Sequence, residues 1–413
     1  MSSWQNVFLS DIATIVPGFA FKSDEFCVSG IPVVKIKNIT PPFIDLSDAQ
    51  FIDNSNLESK LDKFKLTKGD FCIAMTGETI GKVGKYISDD IAYLNQRVCK
   101  VVPKPGIDKS FIYYSLVLPD FYSFVQNNID SQSAQANISH NALGRYPILL
   151  PAPEEQKAIA GVLGALDNKI EAARRGNETL EAIAAALFKS WFVDFEPFGG
   201  IKPNNWLDGR LADIIGELES GSRPKGGAES SGVPSIGAEN IEGFGIYDYA
   251  KEKFISQSFF DNMRRGKVRS GDVLLYKDGA YVGKVSMALD GFPHETCAVN
   301  EHVFILRTND ICPSQFFLYL FISQKQIIET MATLGSAKAA QPGLNQTDVG
   351  SVELIIPDKD TIKKFDEIIS PMMHKIAQNS IQSRTLAQMR DSLLPRLMSG
   401  KIRIPPFGTG DNK

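Results

Sequence analysis

Cysteine is scarce in this chain. Cys27, Cys72, Cys99, Cys297 and Cys312 are five among 413 residues, odd in number and without a Cys-x-x-Cys. That argues against a zinc ribbon or a disulfide framework and points to a reducing compartment, the cytoplasm. Histidine is scarcer still. His140, His294, His302 and His374 stand apart, with no zinc-ligand spacing to another His or Cys, so they read as ordinary surface or core histidines and no metal site is expected. There is no G-x-x-x-x-G-K-[ST] loop, so ATP binding by this chain is not supported. The N-terminal segment is polar and lacks a signal-peptide core. Apolar runs such as Ala182–Phe188 are too short for a membrane span. An excess of positive charge is also missing: 44 Lys and Arg against 48 Asp and Glu give a formal net charge of −4. A nucleic-acid binder usually carries a basic balance, so any such role would need local basic faces or a partner that supplies the charge.

What is present is a repeat. Trp4 returns as Trp206, Leu9-Ser10-Asp11-Ile12 as Leu211-Ala212-Asp213-Ile214, Asn38-Ile39 as Asn240-Ile241, Gly69-Asp70 as Gly271-Asp272, and Gly81-Lys82-Val83 as Gly283-Lys284-Val285, all at an offset of 202. Asn95 pairs with Asn300 at 205; Gln135 with Gln341 and Pro151 with Pro357 at 206. Small loop insertions account for the drift. A period this long marks a duplicated domain, not a solenoid unit, and the length itself calls for at least two cores.

The expected fold is α/β (α+β): duplicated recognition domains separated by two long antiparallel coiled-coil helices, with pseudo-twofold symmetry. The expected segments are a first domain over 1–150, a long helix over 151–195, a linker over 196–205, a second domain over 206–356, a second long helix over 357–400 and a tail over 401–413. Within the domains, Ile31–Ile36, Phe71–Met75, Val98–Val102, Asp272–Tyr276 and His302–Leu306 read as strands, and Tyr113–Val125 and Phe316–Ile328 as helices. An apolar strand ending in proline closes each domain: Tyr146–Leu150 and Val352–Ile356.

From Glu154 to Phe192 only three glycines interrupt good helix formers. Ile159, Leu166, Ala173, Leu180 and Leu187 form one line at spacing seven; Leu163, Ile170, Asn177, Ala184 and Trp191 form the other. Nine of these ten are apolar, a coiled-coil seam with one polar break at Asn177. The second helix, from about Asp360 to Met398, repeats the pattern more weakly. Phe365, Met372, Asn379, Leu386 and Leu393 alternate with Ile369, Ile376, Ser383, Arg390 and Leu397, and Pro371 is expected to kink or locally unwind the first turns. Antiparallel pairing would set Asn177 near Asn379 and Ser383 in a polar layer that fixes register. A helix of about 33 residues spans roughly 50 Å, and paired readers on B-DNA sit one turn of about 34–36 Å, or a multiple, apart.

Three phrases complete the pattern: Pro151-Ala152-Pro153-Glu154-Glu155-Gln156 opens the first helix, Leu187-Phe188-Lys189-Ser190-Trp191-Phe192-Val193-Asp194-Phe195 ends it, and Leu393-Leu394-Pro395-Arg396-Leu397-Met398-Ser399-Gly400-Lys401-Ile402 ends the second. With these, the chain resembles the specificity subunit of type I restriction–modification systems over nearly its whole length. One departure is Pro357-Asp358-Lys359, which lacks the Glu-Gln opening and leaves the start of the second helix undefined. The resemblance implies a subunit without catalysis of its own. Each recognition domain would read one half of a bipartite, asymmetric target in double-stranded DNA, and the helices would set the gap. Two modification subunits would dock on those helices, carry S-adenosylmethionine and methylate adenine N6. Restriction subunits would add ATP- and Mg-dependent translocation and cleavage. No cofactor is expected on this chain.

The competing readings are a free-standing adenine-N6 methyltransferase and a noncatalytic scaffold for protein or sugar. Thr40-Pro41-Pro42-Phe43 and Ile404-Pro405-Pro406-Phe407 only approach the methyltransferase motif, lack its polar first residue and have no Gly-rich cofactor loop beside them; they read as turns. DNA contact then falls to loops. Thr76–Lys82 and Lys277–Lys284 hold the same place in the repeat with different polar content. Lys82 and Lys284 match and suit phosphate, whereas Thr76, Glu78, Lys277, Asp278 and Tyr281 differ and suit base edges. A second loop pair offers Gln132, Gln135, Asn137 and His140 against Ser336, Lys338 and Gln341. The matched pair Gln135 and Gln341 suits a structural role equally well. Arg223 and Lys225 form a basic loop, the counterpart of Gly18–Lys22, suited to phosphate. A plain hairpin turn is the competing reading for each of these loops.

Overall fold

The computed structural model describes residues 4–53, 59–130, 136–279, 282–336 and 343–404. The chain forms two compact units: Met1–Asp167 with Gln388–Lys413, and Asn168–Ala387. Each unit therefore takes one domain, part of one long helix and part of the other.

The first unit carries a six-stranded sheet in the order Ala13–Pro17, Val98–Pro103, Phe71–Ala74, Val83–Lys85, Phe43–Ile44, Ile39–Thr40. A second sheet contains Ile31–Val34 parallel to Ala92–Leu94. The second unit repeats the plan: Ile215–Ser220, Val303–Thr308, Val273–Tyr276, Val285–Met287, with Val233–Ile236 parallel to Ala298–Val299. An antiparallel pair closes each domain, Gln5–Phe8 with Pro147–Leu150 and Leu207–Arg210 with Glu353–Ile356. Both pairings keep the offsets of the repeat: Gln5 faces Leu150 and Leu207 faces Ile356. Thr40-Pro41-Pro42-Phe43 is the turn of a small hairpin, with Thr40 opposite Phe43.

Two expected helices are each two helices. Lys109–Leu116 and Pro119–Asn127 replace Tyr113–Val125, because Leu118 precedes a proline and is pushed out of the helical region. Gln315–Ile322 and Lys325–Ser336 replace Phe316–Ile328, with a break at Ser323 and Gln324.

The long helices run Pro153–Phe192 and Lys359–Met398. In each unit they pair antiparallel. In the first, Asp167 meets Arg390, and Arg403, just past the end of the second helix, reaches Glu155. In the second, Asn177 meets Asn379 while Phe192 packs on Phe365. None of the twenty seam residues is exposed. Burial is complete where a helix also packs on its domain. Ile159, Leu163, Leu394 and Leu397 join the first core with Leu9 and Phe111; Ala184, Phe188, Phe192, Phe365 and Ile369 join the second with Trp206 and Phe317. A fully buried side chain of this size contributes roughly 1.5–3 kcal/mol, so domain packing holds the helix ends more firmly than the seam alone.

The polar layer exists, with one change of partner. The Asn177 amide donates to Ser380 Oγ at 3.0 Å and accepts from Asn379 at 2.9 Å; Ser383 is half-buried and is not the partner. Ser380 lies one helical turn beyond Ile376 on the same face and also donates to the Gly245 carbonyl at 2.8 Å. Gly245 has φ +80°, and a Cβ there would come within 2.7 Å of Ile376 and 2.9 Å of Ser380, so only glycine lets this domain loop reach the helix pair. Pro371 does not unwind the second helix: the helix runs through it, and Pro371 lies on an exposed face, where water can take the freed carbonyl.

The start of the second helix is resolved by tryptophan. Trp4 donates its indole N–H to Glu155 (3.1 Å), and Trp206 donates to Asp358 (3.0 Å). Asp358 also accepts from the Thr361 amide and hydroxyl, capping the helix that begins at Lys359. Gln156 has no such counterpart. It accepts from the Asp108 amide and donates to the Pro151 carbonyl, tying the first helix to its domain.

The expected linker is an ordered turn. Phe195 and Phe198 pack on Trp206 at 5.8 and 5.0 Å between ring centroids. The expected tail begins packed: Ile402 and Ile404 lie on the first core and Arg403 pairs with Glu155. Residues 405–413, including most of the second Pro-Pro phrase, lie outside the described residues.

Candidate functional site

In each domain the third strand of the main sheet, Phe71–Ala74 or Val273–Tyr276, runs into a tight turn. Gly77 (φ +74°) and Gly279 (φ +71°) occupy the same left-handed position in the two copies. A hairpin needs a residue that tolerates this conformation, and glycine does so without a steric penalty.

The two loop pairs singled out separately in the sequence meet in space. Thr76 bridges Asn137, with Gly77 N donating to the Ala136 carbonyl (3.1 Å) and Ile138 N to the Met75 carbonyl (3.0 Å). In the second copy Asp278 bridges Gly343, and Leu344 N donates to the Lys277 carbonyl at 2.7 Å. One backbone frame thus gathers each domain's polar loops into a single tip. The counterparts Gly18–Lys22 and Ser222–Gly226 start at the same place. A Cβ at Gly18 would fall 2.1 Å from the Asn95 carbonyl oxygen, and one at Gly221 only 1.6 Å from that of Val299.

At the first tip, Glu78, Lys82 and His140 are exposed, and Thr76 and Asn137 are half-buried. Thr76 Oγ1 is shielded from solvent and has no hydrogen-bond partner among the described residues. His140 opens a short helix capped by Ser139, whose hydroxyl accepts from the Ala142 amide. At the second tip, Arg223 pairs with Glu301 at 2.9 Å, and Lys225 is exposed. Lys277 holds its ammonium 5.0 Å from the centre of the Phe304 ring and 3.9 Å from Asp278. Burial, then the Asp278 and Glu239 carboxylates, push the Tyr276 phenol above its usual range. Ser336 ends its helix, with its hydroxyl donating to the Thr333 carbonyl. Lys82 and Lys284 do not present equivalent cations: Lys284 is half-buried and paired with Glu242 at 2.7 Å. Gln132, Gln135, Tyr281, Lys338 and Gln341 lie outside the described residues. Asn177 and Asn379 belong to the helix layer described above.

The structure adds four residues that the sequence reading passed over. Gln96 and Arg97 follow Asn95; Glu301 and His302 follow Asn300. Arg97 accepts from Met75 N at 2.9 Å and His302 from Lys277 N at 3.1 Å through their backbone carbonyls, which places both turns against the tips. His302, set aside as an ordinary histidine, contacts Asp278 through Nδ1 at 2.8 Å and Glu301 through Nε2 at 3.3 Å. The signal was available: a matched asparagine followed in each copy by two polar residues that differ. Among the described residues, no group of three His, Cys, Asp or Glu is placed to hold a metal, and no helix is long and apolar enough to cross a membrane.

A duplicated α/β domain that hangs different polar tips on one frame, packed on paired long helices, defines a two-part recognition protein. Residues 1–182 match the type I restriction modification DNA specificity domain. The chain is 27% identical over 327 residues to the MjaIX type I restriction enzyme specificity subunit of Methanocaldococcus jannaschii, a match covering 75% of this chain and 73% of that one. It is 25% identical over 401 residues to the EcoBI specificity subunit of Escherichia coli, covering 89% and 78%. Its fold is similar to the crystal structure of a type I restriction–modification S subunit from M. genitalium, with a TM-score of 0.59 and 17% identity over 96% of each chain. By these matches the chain is similar to the specificity subunits of type I restriction–modification systems.

Proposed function

We propose that this chain is the DNA sequence-recognition subunit of a type I restriction–modification complex, and that each domain reads one half of a bipartite, asymmetric target. The observation that carries this is the pair of tips. The frames share two bonds: Met75 N to the Arg97 carbonyl with Ile138 N to the Met75 carbonyl in the first copy, and Lys277 N to the His302 carbonyl with Leu344 N to the Lys277 carbonyl in the second. Yet Thr76, Gln96 and Arg97 stand where Asp278, Glu301 and His302 stand in the second copy. Sequence is read by side-chain donors and acceptors at base edges, and backbone contacts only position the reader. Two readers of unlike half-sites need this combination of common frame and divergent tips.

In this reading the paired helices set the number of unread base pairs and dock two modification subunits, which carry S-adenosylmethionine and methylate adenine N6. Restriction subunits bring ATP and Mg. The chain is noncatalytic by itself and acts in the cytoplasm. The test is a methylome comparison. Deleting the gene for this chain, with modification-subunit expression maintained, should erase one bipartite adenine mark and leave other marks intact. A complete set of marks in the deletion strain would overturn the reading. Binding of S-adenosylmethionine by the isolated chain would favour a free-standing methyltransferase instead.

A further inference from the structure

The two tips differ in a coordinated way. In the second copy His302 stands between two carboxylates, Asp278 and Glu301, and Arg223 is also paired with Glu301. In the first copy the same positions are neutral: Thr76 replaces Asp278 and Gln96 replaces Glu301. The residue at the centre has become Arg97, which is exposed and has no ion pair or side-chain hydrogen bond among the described residues. Its backbone is nonetheless held. Asn95 N donates to the Val34 carbonyl, Val98 N to the Asn95 carbonyl and Met75 N to the Arg97 carbonyl, each at 2.9–3.0 Å. A cation on a fixed turn, with both flanking acids removed, is prepared for a ligand that brings its own acceptors.

We propose that Arg97 is a base-reading residue of the first recognition domain and that it selects guanine. This rests on the DNA-recognition reading above. The guanidinium carries paired N–H donors in a planar fork, and guanine is the base that presents two adjacent acceptors, O6 and N7, in the major groove. Phosphate binding is less well matched. A phosphate contact would serve both copies alike, yet the second copy holds a carboxylate-clamped histidine at this position. The divergence follows what is read, not the backbone that is held.

The test replaces the chromosomal allele by Arg97→Ala and Arg97→Lys, with chain abundance checked by quantitative immunoblot, and reads the methylated motif by whole-genome methylation sequencing. Both variants should lose preference at one guanine-bearing position of one half-site, by about ten- to hundred-fold. The other half-site and the gap should stay as they were. Lysine keeps the charge but loses the fork, so it should not restore the preference. The proposal fails if the Arg97→Ala motif is unchanged. It also fails if Arg97→Ala weakens every site alike while Arg97→Lys restores the wild-type motif, since that is the behaviour of a phosphate contact. A wild-type strain with no bipartite mark dependent on this chain would overturn the parent reading instead.

Discussion

Trp4 and Trp206 mark the same place in the two copies and make the same bond with different acids. Trp4 donates to Glu155 inside the first long helix, whereas Trp206 donates to Asp358, one residue before the second. Asp358 thus does two jobs, accepting the indole N–H and capping the helix through Thr361. Burial works against its charge, but the Thr361 amide and hydroxyl and the Trp206 N–H outweigh it and hold the carboxyl below its ordinary pKa. A depressed folded pKa contributes stability above the unfolded value, near 3.8, that is lost as pH falls through the folded value. Asp358→Ala should therefore cost about 1–2 kcal/mol at neutral pH and flatten the acid limb of the stability profile. Urea midpoints of both proteins from pH 7 to pH 3 would check this; curves that stay parallel throughout would contradict it. At this scale the sequence was partly legible. The tryptophan repeat was visible, but the acid it reaches lies about 150 residues away and shifts by a residue between copies, so no spacing rule connects them.

At the scale of elements, the seam of each long helix was readable because heptad periodicity is local: a side chain's face follows from its number. The partner in the polar layer was not. Ser383 follows from the heptad count, but Ser380 takes the bond because the Gly245 loop presses on the helix pair at that turn and supplies a second acceptor. Asn177→Ala would leave the buried Asn379 amide without its acceptor, at a cost of about 1–3 kcal/mol, while replacing both asparagines by leucine removes both partners and should restore much of the loss. A double-mutant cycle in urea measures the coupling; strictly additive losses would show that the two asparagines do not act as a pair. The split of Tyr113–Val125 into two helices was signalled by Pro119. The continuity through Pro371 depends on which face of the helix meets solvent.

At the scale of the whole molecule, the reading as a spacer predicts an engineered change of target. Inserting four residues between Glu178 and Ile183 lengthens the first helix by ~6 Å. The methylated motif should keep both half-sites and gain a longer gap, read by methylation sequencing of the altered strain. New half-site sequences with an unchanged gap would remove the helices from that role.

The sequence by itself determined the duplication, the order of domain and helix, the apolar seams and the place of a polar layer. All of these follow from offsets and periods along one dimension, and two copies of one pattern confirm each other. Only the tertiary structure decided which polar residues share a tip. Thr76 meets Asn137, and Met75 binds the backbone beside Gln96, through pairings of residues 22 (Met75 to Arg97) to 63 (Met75 to Ile138) positions apart in the chain. Such pairings depend on strand order and on close approaches such as Gly18 against Asn95 and Gly221 against Val299. A side chain's chemistry is written in the sequence, but its neighbours are set by long-range backbone pairing, which is why Arg97 and His302 came into view only in the fold.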